Sequence, residues 1–355
     1  MNILNQANTK FVQCSVRGRS HEKHDLPCQD KTFALFSEET AYIALADGAG
    51  SRELPDIGAE AVTRELSRDF TANFDRYFSD DIASVRQKLI ERLSDIILRL
   101  SSDYGREPGC FASTLLIAAA KGNRFIHLHI GDGLICAMQN GKMRTVSLPE
   151  NGESSSATYF TTSQNLEVHM RIGRFTAENC GGLVLMSDGA SDCLYNDEKF
   201  EISPAIGRIM TLLETESAED VSQWLRDDFE NVVKPATTDD CSIAMLRILS
   251  DTENEYWWEY AFPGSSESRR RRLIKKYYTI LVNISGRETC RSLARRFCLR
   301  PKYMKKSLDY LVGQGLIDFD GMYYQAKQTD DYDDTDYYDD SDDSVELEDT
   351  GSLDS

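Results

Sequence analysis

The chain has 355 residues with 41% hydrophobic and 28% charged side chains and a net charge of −19, which is typical of a globular protein with two or three domains. No apolar run reaches the roughly 20 residues that a membrane helix needs, and the start of the chain lacks the basic and apolar regions of a secretion signal. The nine scattered cysteines contain no Cys-x-x-Cys pair, so we expect free thiols in a cytoplasmic protein and no membrane partner.

The charge is unevenly distributed along the chain. Residues 1–250 carry 25 basic and 37 acidic side chains, whereas residues 251–265 add four acidic side chains and no basic ones. Residues 266–327 carry 15 basic against 5 acidic side chains, and residues 328–355 carry 13 acidic side chains and no basic ones. We therefore predict an acidic domain, a linker, a basic domain and a disordered acidic tail.

Hydrophobic periodicity predicts a mixed α and β structure for residues 1–250. Two strands at 31–37 and 41–47 precede two amphipathic helices at 56–74 and 80–100. The pattern then predicts strands at 112–120, 124–133, 134–142 and 182–190, one more helix at 216–233 and a closing strand at 241–249. This order favours an α+β fold in which a two-sheet β-sandwich is flanked by helices.

The basic segment 266–327 has a different pattern. It predicts helices, a turn and a β-hairpin that turns at Asp320-Gly321, an order typical of a winged helix. The candidate recognition helix is 301–313, and the positive charge suits DNA. Winged helices also dock proteins, so DNA and protein partners are both retained for this segment. The acidic tail is expected to compete for the same basic surface.

Four strand-like runs begin or end at an aspartate. Asp47 ends "YIALAD", Asp188 follows "LVLMS", Asp30 precedes "KTFAL", and Asp240 precedes "CSIAML". Asp-Gly is a common turn dipeptide, so any one of these aspartates could be a turn residue. Four of them at strand ends could instead meet at one rim of the sandwich. Clustered carboxylates need a neutralising cation, and oxygen ligands suit Mg²⁺ or Mn²⁺.

Five strings in order resemble the metal-dependent protein phosphatases of type 2C, in particular their bacterial branch. They are "GRSHEKHDLPCQD" (18–30), "LADGAGS" (45–51), "FASTLLIAA" with "HIGDG" (111–133), "LMSDGASD" (185–192) and "TDDCSIAML" (238–246). The resemblance covers about residues 10–249. It implies the type 2C fold and a metal-dependent phosphatase that acts on phosphoserine or phosphothreonine in proteins.

The resemblance also implies roles for residues. Asp47 would bridge two Mg²⁺ or Mn²⁺ ions, and Gly48 would offer its carbonyl oxygen to one of them. Asp188 and Asp240 would complete the first metal site, Asp30 would act mainly through metal-bound water, and the neighbouring Asp239 would only support the ligand. A water that bridges the two ions would attack phosphorus directly.

Two residues depart from the family pattern. Ala49 stands where many members have histidine, the proposed acid for the leaving oxygen, and Asp25 stands where many have an arginine that holds phosphate. His21 is the candidate replacement for either role, and Arg17 and Arg19 are candidate phosphate anchors. The alternative for His21 is an ordinary surface histidine.

The leading hypothesis is therefore a protein-serine/threonine phosphatase that opposes a kinase in bacterial signalling or stress response. Its partners would be a phosphorylated protein and a kinase or the target of that kinase. The alternative is a catalytically weak, phosphatase-like binding protein whose basic domain engages DNA or protein. His127 and His129 share one face of a strand and could bind metal, but they are more typical of ordinary sheet residues, and Asp132 is expected to be a turn residue.

Overall fold

The computed structural model describes residues 6–150, 158–177 and 179–249, and further along residues 287, 289–296, 304–305, 308–309, 311–312, 317–320 and 322–326. The chain divides into two units, Met1–Tyr260 and Ala261–Ser355. Within the described residues, none of the helices combines the length and the hydropathy required to cross a bilayer.

The first unit contains twelve described strands and seven described α-helices. The strands are β1 (Thr9–Val16), β2 (Lys31–Ser37), β3 (Thr40–Ala46), β4 (Leu115–Lys121), β5 (Arg124–Ile130), β6 (Leu134–Gln139), β7 (Lys142–Ser147), β8 (Arg171–Thr176), β9 (Cys180–Met186), β10 (Tyr195–Asn196), β11 (Glu201–Ile202) and β12 (Cys241–Ile248). The helices are α1 (Arg19–Lys23), α2 (Pro55–Ser79), α3 (Ile82–Tyr104), α4 (Leu166–His169), α5 (Asp188–Leu194), α6 (Pro204–Thr215) and α7 (Ala218–Asp228).

Ten of these strands form two antiparallel sheets of five strands each. One sheet has the order β1-β12-β9-β6-β7, and the other has the order β2-β3-β4-β5-β8. Apolar side chains of both sheets share one core, which includes Ile43, Leu116, Leu183 and Leu246. The sheets therefore pack face to face, as predicted for the β-sandwich.

Helices cover the outer face of each sheet. A second core joins α2 and α3 to the β3–β4 side through residues such as Phe70, Leu93 and Tyr42. A third core joins α6 and α7 to the β9–β12 side through residues such as Met210 and Met245. The result is a four-layer arrangement of helices, sheet, sheet and helices, which confirms the helix-flanked β-sandwich predicted for this part of the chain.

Strand β3 lies between a helical layer and the opposite sheet. Alternate residues face the two sides: Tyr42 and Ala44 belong to the helix-facing core, whereas Ile43 and Leu45 belong to the core between the sheets. Every residue of β3 is buried for this reason. A strand that is buried on both faces reads as a continuous apolar run, which explains "YIALA" before Asp47.

The second unit contributes fewer described elements. Helix α8 spans Cys290–Arg296, and strands β13 (Ile317–Phe319) and β14 (Tyr324–Ala326) pair as an antiparallel hairpin. Asp320 accepts hydrogen bonds from the backbone amides of Met322 and Tyr323 at 3.0 and 2.8 Å and thereby fixes the predicted turn. The predicted linker and acidic tail lie entirely outside the described residues. Most of the predicted recognition helix 301–313 also lies outside them.

His127 and His129 lie in β5; His127 is half-buried and His129 is fully buried. Nδ1 of His129 is 2.8 Å from Oγ of Ser147 on the opposite sheet. Burial, together with the charge of Arg171, lowers the pKa of His127 to about 4 and lowers the pKa of His129 well below its ordinary value. Both rings are therefore neutral at pH 7, as expected for sheet residues buried in the sandwich.

Acid should destabilise the protein partly through His127. The unfolded chain binds the proton near pH 6.5, whereas the folded ring accepts it only near pH 4, so stability falls as the pH drops through this window. Relative to His127→Gln, the wild type should lose about 2 kcal/mol more unfolding free energy between pH 7 and 5. Urea denaturation in EDTA at both pH values measures this difference, and parallel losses in the two proteins would contradict it.

Candidate metal centre

The antiparallel registers bring the predicted aspartates to neighbouring strand ends. In one sheet, Lys31 pairs with Ala46, so Asp30 before β2 lies beside Asp47 after β3. In the other sheet, Ile243 of β12 and Leu134 of β6 both pair with Met186 of β9. The aspartates that lie just beyond these paired residues therefore collect at one edge of this sheet. They are Asp132, Asp188, Asp239 and Asp240.

Asp47 is held at the end of β3 by main-chain contacts. Its N–H donates to Oγ1 of Thr114 at 2.9 Å, and its carbonyl accepts from the N–H of Thr114 at 2.8 Å. A Cβ on the next residue, Gly48, would lie 2.8 Å from the carbonyl carbon of Pro55. Only glycine therefore allows the chain to turn this closely against the start of α2, whose first residue is Pro55.

Asp30 is almost fully buried behind Asp47, with 2% of its surface exposed. Neither of its carboxylate oxygens has a hydrogen bond of normal geometry from the described residues, although Asp47, Ser187 and Ser242 face it. Burial, and then the charge of Asp240, raises the pKa of Asp30. This is a carboxylate without the partner that burial normally requires.

Asp188 begins α5, where the last residue of β9 is followed by Ser187. Its Oδ1 accepts a hydrogen bond from the N–H of Gly189 at 2.6 Å. Burial raises its pKa, and the charges of Asp132, Asp239 and Asp30 raise it further. The same aspartates therefore act on one another across the strand ends, and Asp132 is part of the group rather than an isolated turn residue.

The pKa of Asp47 is raised by the same causes. Burial raises its pKa well above the ordinary value, followed by the charges of Asp30, Asp188 and Asp239. Asp30 and Asp47 come from one sheet, whereas Asp188 and Asp239 come from the other. The carboxylate group thus extends across both sheets of the sandwich.

Asp240 has a different environment from Asp239. Asp240 is 1% exposed and accepts hydrogen bonds from the N–H groups of Gly18 and Gln29, both at 2.6 Å. Nδ1 of His21 lies 2.9 Å from its Oδ1. Its two oxygens are engaged by the 18–30 loop, whereas the side chain of Asp239 is exposed.

The residues at this edge fit a hard divalent cation. The buried oxygens of Asp30 and the Oε1 of Gln29 have no hydrogen-bond partner among the described residues. The raised pKa values of Asp30, Asp47 and Asp188 show that these carboxylates lack a compensating positive charge. Oxygen donors of this kind suit Mg²⁺ and Mn²⁺.

The carboxylates do not form a closed ligand cage as they stand. No three Asp, Glu, His or Cys side chains within the described ranges converge closely enough to hold an ion without rearrangement. Ionised carboxylates repel one another when no cation lies between them. Cation binding therefore requires side-chain rotation at the strand ends.

His21 lies in α1 with 12% of its side chain exposed. With Nδ1 directed at Asp240, its Nε2 faces Gly50, where a Cβ would be 4.0 Å away. Ala49, at the position of the family's usual histidine, is buried. His21 therefore lies largely buried against a carboxylate beside the 47–50 turn, unlike an ordinary surface histidine.

The two candidate phosphate anchors contact main-chain carbonyls. Nη1 of Arg17 donates to the carbonyl of Leu26 at 3.2 Å, and Nε of Arg19 donates to that of Thr237 at 2.8 Å. Both contacts tie the 17–26 segment to its surroundings. A phosphate-binding role for either arginine stays a prediction.

The structure brings Asp239 and Asp132 close to Asp188, whereas the sequence predicts a supporting residue and a turn residue at these positions. The adjacent carboxylates of Asp239 and Asp240 cannot be distinguished by residue type. The strand pattern offers one way to distinguish them. Asp240 directly precedes the buried strand β12 and continues into the core, whereas Asp239, one residue earlier, faces outward. The string "HIGDG" also places Asp132 at a strand end, as with Asp30, Asp47, Asp188 and Asp240.

Three solved structures of phosphatases are similar to this chain at low sequence identity. The serine/threonine phosphatase of S. agalactiae is 18% identical with a TM-score of 0.48, over 68% of this chain and 99% of that chain. Stp1 from Staphylococcus aureus is 14% identical with a TM-score of 0.49, over 70% and 98%. The catalytic domain of PstP in complex with two manganese ions is 17% identical with a TM-score of 0.47, over 68% and 99%.

No curated protein matches the chain significantly. Residues 17–228 do match the sequence profile of protein phosphatase 2C, and this match covers more than half of the chain. It includes the 18–30 loop, the Asp47 turn and the start of α5. The chain therefore belongs to the protein phosphatase 2C family, the protein-serine/threonine phosphatases that use Mg²⁺ or Mn²⁺.

Proposed function

We propose that this protein hydrolyses phosphoserine and phosphothreonine in phosphoproteins and thereby opposes a protein kinase. The observation that supports this most strongly is the group of carboxylates with raised pKa values at the strand ends of both sheets. Membership of the protein phosphatase 2C family indicates that such a carboxylate group binds Mg²⁺ or Mn²⁺ for phosphate ester hydrolysis. A purely structural group of this kind would carry a large desolvation and repulsion cost without any compensating partner.

We assign the cations to Asp47, the carbonyl of Gly48, Asp188 and Asp239. Asp239 replaces the predicted Asp240 because Asp240 is buried and already accepts from two backbone amides and faces His21. Asp30 lies behind Asp47 and keeps its predicted role of acting through water. Asp132 adds a further carboxylate beside Asp188. When bound, Mg²⁺ or Mn²⁺ supplies Lewis-acid activation of water and phosphate.

We assign His21 the proton for the departing alkoxide. Nδ1 lies 2.9 Å from Oδ1 of Asp240, and Nε2, the other ring nitrogen, faces Gly50. A histidine with one ring nitrogen beside a carboxylate and the other one open is a common arrangement for a general acid. In this assignment, Asp240 orients the imidazole that replaces the histidine missing at Ala49.

Metal-dependent turnover tests the proposed function directly. The full chain, treated with EDTA and then dialysed, should hydrolyse p-nitrophenyl phosphate and a phosphothreonine peptide only after Mn²⁺ or Mg²⁺ is added back. Ca²⁺ at the same concentration controls for nonspecific charge neutralisation. Absence of turnover with both substrates, in protein that circular dichroism shows to be folded, would contradict the proposal and favour a binding protein.

A further inference from the structure

A cavity of about 840 Å³ opens beside the short β10–β11 hairpin. Its apolar lining comes from the end of α5, the hairpin and β7, and includes Met143, Leu194, Tyr195, Phe200 and Ile202. The Oη of Tyr195 is buried without a hydrogen-bond partner among the described residues. The cavity is therefore an open pocket in which apolar side chains and polar groups share the lining.

Phe200 forms one wall of the cavity and is 67% exposed. Its φ is +56°, an uncommon conformation for a bulky residue that is not glycine. The N–H of Lys199 donates to Oδ1 of Asn196 at 3.0 Å, which fixes the turn that presents this ring. An aromatic side chain held outward in this way offers apolar area to a partner.

The rim of the cavity is acidic. Asp197, Glu198 and Glu201 line it, and Lys199 is the single basic residue between positions 192 and 204. All four of these charged side chains are exposed. A pocket that combines apolar side chains with this acidic rim is complementary to a peptide that combines an apolar side chain with lysine or arginine.

The cavity is linked to the carboxylates at the strand ends through α5. Asp188 begins this helix, and Cys193 and Leu194 at its end line the cavity. Seven helical residues span about 10 Å, which an extended peptide covers with three or four residues. Burial raises the pKa of Asp192, and the charges of Asp197 at the cavity and Asp239 at the strand ends raise it further. Asp192 is therefore close to both the cavity and the strand-end carboxylates.

We propose that this cavity, defined by Met143, Cys193–Ile202 and Pro204, docks the segment of the phosphoprotein that flanks the phosphorylated residue. The occupant is an apolar side chain with adjacent lysine or arginine, three or four residues from the phosphoserine or phosphothreonine. The inference rests on the proposed phosphatase function for the identity of the partner. The cavity and its acidic rim exist independently of catalysis.

Paired phosphopeptides test the substrate preference. A phosphothreonine peptide with Leu-Arg-Lys three to five residues from the phosphate should have a kcat/KM about 10-fold higher than one with Leu-Glu-Glu there. Asp197→Lys combined with Glu198→Lys should abolish this preference by raising KM for the basic peptide. Turnover of p-nitrophenyl phosphate should not change. Asp95→Lys on α3 is the matched control for reversal of an exposed charge.

A binding measurement separates this inference from the proposed function. A fluorescein-labelled basic peptide without phosphate should bind the full chain in EDTA, as measured by anisotropy, and the double charge reversal and Phe200→Ser should each weaken binding. Asp95→Lys should not. If binding follows this pattern but turnover is absent, docking stands and the phosphatase proposal fails. Equal kcat/KM for both phosphopeptides, or equal binding by all variants, would overturn the docking proposal.

Discussion

Replacement of Asp188 by asparagine is expected to reduce Mn²⁺-dependent turnover of p-nitrophenyl phosphate by at least about 100-fold. The substitution keeps the size of the side chain but removes a negative charge from the group at the strand ends. Asp47→Asn should have a similar effect, because this residue lies between Asp30 and the aspartates of the other sheet. Initial rates at saturating Mn²⁺ and isothermal titration with Mn²⁺ would measure the two losses.

The same substitution should stabilise the metal-free protein. The raised pKa of Asp188 means that the folded state resists ionisation, whereas the unfolded chain ionises near pH 4. This group therefore destabilises the fold increasingly as the pH rises, and asparagine removes the effect. Urea midpoints in EDTA at pH 8 should be higher for Asp188→Asn than for the wild type. Lower midpoints together with lost activity would indicate a folding defect instead.

Substitution of Asp240 should mainly affect stability, with an expected loss of about 2–5 kcal/mol for Asp240→Ala. Two buried N–H donors, those of Gly18 and Gln29, would lose their acceptor, and His21 would lose the carboxylate at its Nδ1. Asp240→Asn retains one acceptor oxygen and should cost less. Urea denaturation of the three proteins in EDTA would give this order directly.

Asp239→Ala is the matched comparison for that experiment. Asp239 is exposed, and its Oδ1 accepts only the N–H of Asp240 within the described contacts, at 2.8 Å. Its replacement should change the unfolding free energy by less than about 1 kcal/mol while weakening Mn²⁺ binding. If Asp240→Ala instead kept full stability and lost Mn²⁺ binding, the original sequence-based choice of Asp240 as the ligand would be correct.

The sequence predicted the sheets best where strands are buried on both faces. Strands β3 and β9 read as apolar runs for this reason, and each is followed by an aspartate that the structure places at the strand edge. Strand β8 was not predicted, because its sequence "RIGRFT" carries two arginines and a glycine. That glycine has a packing cause, since a Cβ on Gly173 would lie 2.0 Å from Cε1 of His127.

Helix boundaries were less predictable than helix positions. Helix α2 was expected at 56–74 but runs over Pro55–Ser79, because its polar last turn still packs Tyr77 against Phe70. The helix predicted over 216–233 ends at Asp228 and continues as one π-helical turn, Phe229–Val233. The β10–β11 hairpin has strands of two residues each, too short for any periodicity to indicate.

The choice between Asp239 and Asp240 depended on information that residue type does not carry. Both are aspartates next to the same strand, and only the closure of the 18–30 loop onto Asp240 separates them. A Cβ on Gly18 would lie 2.3 Å from the carbonyl carbon of Asp239, so this closure requires glycine. Such a contact joins positions more than 200 residues apart and has no local signature.

The carboxylates come from two different sheets, so under the proposed cation assignment the alignment of the sheets determines metal affinity. Asp30 and Asp47 move with one sheet and Asp188 and Asp239 with the other. A slip of one residue along a strand displaces these groups by about 3.3 Å, more than the length of a metal–oxygen bond. Leu183 and Ile43, packed between the sheets, therefore act as spacers for a site that they do not touch. Substitutions that shift this packing should alter Mn²⁺ affinity even where stability is unchanged.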